Sequence, residues 1–486
     1  MPCIGINSHP TWDKLTVTGP PGPQGKEGDQ GEIGRKGNLG PTGAPIPHLN
    51  PLGQNDVQIM KEVSLSDNTA LGKISVPEAG VTVSYLVDVL KEMGIVSKIP
   101  KKWQSFDSDI TGENPDDSAG WAVSLSGDGK TLAFGAPGHN DRYGKVRVFR
   151  HKGDKWTTIG DIDGTSTENA GYSVSISEDG NTLAFGAPAH SNSGKEYIGR
   201  VRVLKYQDKQ WKSIGSDIGG INARDSFGWS VSLSADGSTV AVGAPYHDES
   251  DKGQVRVFRY NDDTTSWEQL GDENDLDGVD AGDLAGHSVS LSADGSAVAI
   301  GAIDHDSDKG HVRVFKYKDD TSRWEQLGDD LDGVDAGDRA GYSVSLSVDG
   351  STLAVGAFNH DDKKGHVRVF RYNGASWTKI GDDIDGVSPN DEAGRSVSLS
   401  ADGNTVAVGA PLHDADETDN NEGQVRVFSY DIAKGWVQIG GDINGSEPSD
   451  NTGRCVSLSA DGLTLAIGET AGTSSSSAGK VRMFKL

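Results

Sequence analysis

The sequence predicts an all-β chain built around a seven-bladed β-propeller. Three observations carry that expectation. A sentence of the form G-x-S-V-S-L-S-A-D-G-x-T-x-A-V-G-A-P, a polar loop and G-x-V-R-V-F-x-Y recurs seven times, followed in the first six copies by W-x-x-I-G-x-D-I-D-G. Its first glycine falls at Gly120, Gly171, Gly228, Gly286, Gly341, Gly394 and Gly453, so the period is about 50–60 residues, the size of one four-stranded blade. Each copy also carries one set of strand patterns separated by turn residues.

Within a copy, S-V-S-L-S alternates apolar and small polar residues, as a first strand does. The Asp-Gly that follows marks a tight hairpin; it recurs from Asp128-Gly129 to Asp461-Gly462. T-V-A-V-G-A-P is the second strand, stopped by its proline, and V-R-V-F is the third. The fourth centres on a tryptophan: Trp156, Trp211, Trp267, Trp324, Trp377 and Trp436. Seven first, second and third strands are thus followed by only six Trp strands. The missing one stands ahead of the first copy, in KKWQSFDSDITG around Trp103. Residues 101–110 are therefore expected to complete the last blade, so that strand exchange between the two ends of the repeat array closes the ring.

Upstream the composition changes. Glycine occupies every third position from Gly19 to Gly43, nine triplets in a row. Only glycine fits the axis of a collagen triple helix, and 19–45 would span roughly 80 Å as one. The expected organisation is an N-terminal anchor segment (1–18), a collagen-like stalk (19–45), a partly helical neck (46–100) and the propeller (101–486). In the neck, Val83, Leu86, Val87, Leu90 and Met93 fall at helical spacing before Gly94. That stripe suits a trimerising seam beside the stalk, or a face packed on the propeller.

Composition restricts the partners. The 486 residues carry 72 acidic and 45 basic side chains, a net charge of −27. That disfavours binding to a nucleic-acid backbone. No apolar run reaches the length of a membrane span. The two cysteines, Cys3 and Cys455, make no disulfide framework. The start lacks the basic region and apolar core of a signal peptide.

The copies resemble FG-GAP repeats, the unit of the integrin alpha-chain propeller and of many microbial surface proteins. Phe227-Gly228-Trp229-Ser230-Val231, Gly243-Ala244-Pro245 and Gly253-Gln254-Val255-Arg256-Val257-Phe258 carry the resemblance. It covers about residues 101–486 and implies the propeller fold. The integrin-type calcium loop, D-x-D-x-D-G-x-x-D between strands one and two, is absent here, so the family's calcium role does not transfer to these turns.

Two loop sets share one face of such a propeller: those joining strands two and three, and those joining successive blades. Both are acidic. The first set supplies the candidate binding residues His247, Asp248, His305, Asp306, His360, Asp361, His413 and Asp414, with His139 and His190 at the same place in blades one and two. Each histidine either serves a ligand or hydrogen-bonds its own loop. The second set contains DLDGVDAGD twice. Asp277, Asp280, Asp283 and Asp332, Asp335, Asp338 are candidate oxygen ligands for calcium, or turn formers; no other cofactor is required. Arg147, Arg202, Arg256, Arg313, Arg368, Arg426 and Arg482 repeat on the third strand, as a basic ring or as partners of loop carboxylates between blades.

No nucleophile elbow, phosphate loop or zinc spacing appears, and no catalytic residue is assigned. The expectation is a non-enzymatic, homotrimeric fibre protein with a propeller head for protein or glycan recognition, similar to viral or microbial surface fibres and placed on a virion or cell surface. The alternatives are a propeller polysaccharide lyase or glycosidase, and a cytoplasmic scaffold.

Overall fold

The computed structural model describes residues 102–486, except 154, 193, 273–275, 415–420 and 471–477, together with four short strands nearer the N-terminus. The chain divides into two compact units, Met1–Ile99 and Pro100–Leu486. In the first, Cys3–Gly5 pairs antiparallel with Thr16–Thr18, and Ile59–Ser64 with Lys73–Pro77. The second hairpin lies in the expected neck. The expected helix at 83–94 and the Gly-X-Y stalk lie outside the described residues.

The second unit is a seven-bladed propeller of seven antiparallel sheets. Blade one runs Ala122–Leu125, Thr131–Ala136, Lys145–Lys152, Lys155–Asp163 from the axis outwards. The six later blades repeat the order, their first strands starting at Ser173, Ser230, Ala285, Ser343, Ser396 and Thr452. In blade seven, Lys480–Lys485 is followed in the sheet by Gln104–Ser105, with Phe484 opposite Ser105, and by Ile110–Thr111, with Val481 opposite Ile110.

Burial explains the two kinds of strand. In blades one to three the first strands read half-buried and buried in alternation, one face towards the axis. The second strands, such as Thr131–Ala136 and Thr352–Ala357, are buried at all six positions except at Thr405 of blade six, because both faces are covered by adjacent blades, as in parallel sheets. The core is accordingly seven clusters, one per blade interface. One joins Ala466, Val481 and Met483 of blade seven to Val123, Leu132 and Phe134 of blade one.

Polar repeats lock those interfaces. A backbone N–H of each first strand donates to a serine of the preceding blade, from Ile176 N to Ser124 Oγ (3.1 Å) round to Leu125 N to Ser457 Oγ (3.0 Å). The residue before each Asp-Gly forms a second ring, Gly127 N to Glu178 O (2.9 Å) through to Ala460 N to Gly127 O (2.9 Å). A cavity of about 170 Å³ lies on the axis against this ring. The glycines are sterically required. A Cβ on Gly135 would sit 1.8 Å from the carbonyl oxygen of Gly171, and one on Gly468 would sit 2.0 Å from that of Gly120. At the rim, the indole N–H groups of Trp103, Trp267, Trp324, Trp377 and Trp436 donate to a carbonyl of the preceding blade (2.8–3.2 Å).

Candidate functional site

The face opposite the Asp-Gly hairpins carries the inter-blade connectors and the loops between strands two and three. Backbone bonds such as Leu284 N to Asp251 O, Arg339 N to Asp308 O and Glu392 N to Lys363 O tie the two loop sets together. The histidines add a side-chain tie. His139, His190, His305 and His360 place Nδ1 3.0 Å from a carboxylate twenty-two residues earlier: Asp117, Glu168, Asp283 and Asp338. His247 and His413 sit 3.1 Å from Asp225 and Asp391. In blade seven the pair is replaced by Glu469, fully buried, which accepts from Arg482 (2.8 Å) and Thr452 (2.8 Å) and pairs with Lys480 (3.0 Å).

That arrangement separates the members of the two aspartate runs. Asp283 and Asp338 are 2% exposed. Each gives one oxygen to its histidine and the other to two backbone N–H groups, those of Val279 and Asp280 or of Val334 and Asp335 (2.8–3.0 Å). Asp280 and Asp335 are exposed, Asp277 accepts from Gln254 (2.9 Å), and exposed Asp332 pairs its backbone with His311. Among the described residues two clusters of three metal-ligating groups form, and neither is one of these aspartate triplets. They are Asp283, His305, His311 and Asp338, His360, His366. Asp248, Asp306 and Asp361 are exposed in left-handed turns (φ 73°, 49° and 49°), while Asp414 is half-buried and accepts from Asn421 N.

The third-strand arginines find backbone more often than carboxylate. Arg256, Arg313 and Arg368 donate to the carbonyls of Gly219, Asp277 and Asp332 in the preceding connector (2.5–2.7 Å). Each also lies over the phenylalanine two positions on, Phe258, Phe315 and Phe370. Arg147 and Arg482 do reach carboxylates, Asp161 at 2.9 Å and Glu469 at 2.8 Å. The connector's extended end points its carbonyl at the guanidinium, so the arginines are spent between blades.

A feature the repeat consensus hides lies where the axis meets this face. The residue after each first glycine is Trp121, Tyr172, Trp229, His287, Tyr342, Arg395 and Arg454, all half-buried. Their side chains touch around the axis. Ring centroids are 5.4 Å apart for Trp121 and Tyr172, 4.7 Å for Tyr172 and Trp229, 5.9 Å for Trp229 and His287, and 4.7 Å for His287 and Tyr342. Arg395 lies over Tyr342 (5.1 Å) and Arg454 over Trp121 (4.2 Å). Such pairs prefer offset or tilted rings, and Arg over Trp is the stronger cation–π case.

The electrostatics are asymmetric. Burial pushes the Tyr172 phenol up. It also pulls His287 down to about 4, against a Tyr342 backbone bond and helped by Arg395, Arg339 and Arg454. Both groups are therefore neutral near pH 7. Arg395 pairs with Glu392. Arg454 has no carboxylate within ion-pair distance among the described residues. A charged guanidinium at the mouth of the axis, in an acidic protein, is positioned for an anionic group. Further out, the same place in four successive connectors bears an exposed aliphatic residue: Ile221 (38%), Val279 (46%), Val334 (48%) and Val387 (54%).

Fold and repeat together define an all-β, seven-bladed propeller with an FG-GAP repeat. The FG-GAP repeat family matches residues 219–258, from the end of blade two through the connector into the third strand of blade three. No curated protein sequence matches the chain. Among solved structures the chain is similar to the Kuenenia stuttgartiensis hydrazine synthase, with a TM-score of 0.51 and 13% identity over 78% of this chain and 97% of that one. At that identity the likeness is one of fold. Among the described residues no helix is long and apolar enough to cross a membrane.

Proposed function

We propose that this protein is a non-enzymatic recognition fibre whose propeller head binds an anionic glycan at the aromatic and arginine ring on its axis. The observation that carries this reading is the ring itself: five neutral rings in tilted contact, flanked by Arg395 and the carboxylate-free Arg454. Aromatic faces suit the apolar faces of sugar rings, and a guanidinium suits a sugar carboxylate or sulfate. The acidic loops around it serve as a rim that accepts calcium as a bridge or a basic surface on the partner.

In this reading the Gly-X-Y segment joins three chains into a stalk on a virion or cell surface. Three heads then raise weak individual contacts by orders of magnitude. The strand that leaves the neck at Gln104–Ser105 serves as the outer strand of the last blade, and strand exchange anchors the head to its stalk. Native mass measurement of the full chain is expected to give a trimer; a monomer removes the fibre.

Screening the full chain on immobilised neutral, sialylated, uronate-containing and sulfated glycans tests recognition. Binding is expected to the charged classes, with no shortened or unsaturated product released. Product formation supports a lyase or glycosidase instead.

A further inference from the structure

We infer that blades four and five each hold a transition-metal ion, of the zinc class, between Asp283, His305 and His311 and between Asp338, His360 and His366. The three ligand atoms of each set lie within 4.8 Å of one another. A tetrahedral zinc with bonds of 2.0–2.1 Å separates its ligands by about 3.4 Å, so small side-chain rotations close the site. Two imidazoles and one carboxylate, with water in the fourth place, are a borderline donor set that suits zinc rather than calcium.

The second observation is the state of the inner histidines. His311 and His366 are 0% and 1% exposed, and neither ring nitrogen of either has a hydrogen-bond partner. Their nearest carboxylates, Asp330 and Asp383, stand 3.7 and 3.8 Å from Nδ1. Buried polar groups are nearly always satisfied, and an exception calls for an explanation such as an ion. Each inner ring lies 4.0 Å from the outer one, His305 or His360, which is oriented by its aspartate.

The other blades show what this position otherwise does. It is Lys145, Arg200 and Lys480 in blades one, two and seven, each paired with carboxylates at 2.6–3.0 Å. It is Gln254 and Gln424 in blades three and six, bonded to Asp277 (2.9 Å) and Asn444 (3.1 Å). Five blades thus fill the place with a side chain that reaches its neighbours, three of them cationic. Blades four and five fill it with an imidazole that does not. A bound cation supplies the missing charge and uses the free nitrogens. Where it takes the outer histidine's Nδ1, it displaces the proton shared with the aspartate.

His311→Gln and His366→Gln copy the arrangement of blades three and six, so they test the sites with a side chain the fold already uses there. Chelator-stripped full-length chain is titrated with zinc by calorimetry and with cobalt by visible absorption. The original chain is expected to bind two more equivalents than the double variant and one more than either single variant. Cobalt should give the tetrahedral absorption band only where the histidines remain. Zinc should raise the melting temperature of the original chain and leave that of the double variant unchanged. Equal stoichiometry and affinity in the original chain and the double variant, or no zinc binding at micromolar concentration, overturns the inference.

Discussion

A chain shortened to begin at Glu113 is expected to melt far below one that begins at Ile99. The lost segment supplies Trp103 and Ile110, each 8% exposed in the cores at either side of blade seven. It also supplies the strand that pairs with Phe484 and Lys485, and the Trp103 indole bond to Ile439 (3.2 Å). Truncating one buried tryptophan or isoleucine costs about 2–5 kcal/mol, so the combined loss is on the order of 5–10 kcal/mol. The third strand of blade seven would also become an unprotected edge. Denaturant unfolding of both chains measures this directly. Coincident transitions would show that the last blade stands without its N-terminal strand.

Stability is expected to fall steeply as the pH drops from 6.5 to 4. Burial is the first cause that lowers His287, His311 and His366 to about 4 in the folded chain, against about 6.5 when unfolded. In that window the unfolded chain binds more protons, so stability rises with pH. The contribution is complete above pH 6.5 and gone below pH 4, with a ceiling of about 3 kcal/mol for each histidine. His247 acts in the opposite sense. Its pairing with the Asp225 carboxylate raises it despite burial, so its contribution is full below 6.5 and is lost as pH climbs through the raised value. The hairpin carboxylates Asp179, Asp236 and Asp349 are held low by bonds to neighbouring serines and, in the case of Asp179, Asn181, against the desolvation that would raise them. Their contribution is lost only as pH falls through those depressed values, below the histidine window. Melting temperatures taken with chelator present should show the acid slope, and the His311→Gln, His366→Gln double variant should flatten it. An unchanged slope in that variant would mean the imidazoles are already protonated or hydrated when folded.

The repeat made blade number and strand order readable, because each copy spells hydrophobic period, hairpin and stop in the same places. Gly135 and Gly171 are fixed by the close approach of neighbouring blades, so a consensus glycine reports a contact that sequence alone cannot pair. The alternating serines read as a strand pattern; their second role, accepting the next blade's N–H, follows only once the blades are set around an axis. In the aspartate runs, spacing leaves ligand set and turn former both open. Asp277, Asp280 and Asp283 look like a ligand set, yet Asp283 turns inward to cap Val279 and Asp280 and to hold His305. The features with the most chemistry sit at the variable positions of the consensus. Trp121 through Arg454 occupy the x after each first glycine, and His311 and His366 the x before V-R-V-F. The seven-fold arrangement turns the first set into a ring that no single copy displays, while the fold of blades four and five gathers each inner histidine into its own cluster.

If the head recognises its ligand at the axis of the loop face, disrupting that ring weakens binding. The direct measurement is binding of full-length protein to an acidic glycan surface by three folded forms. These are the original chain, Arg454→Gln with Trp121→Ala, and a hairpin-face pair, Glu178→Gln with Val348→Ser. Equal binding is expected for the first and third forms, and a loss of at least about tenfold for the second, since a charge-assisted contact is worth about 1.5–3 kcal/mol. Unchanged binding by the Arg454 and Trp121 pair, together with loss in the hairpin-face pair, would contradict it and move the site to the opposite face.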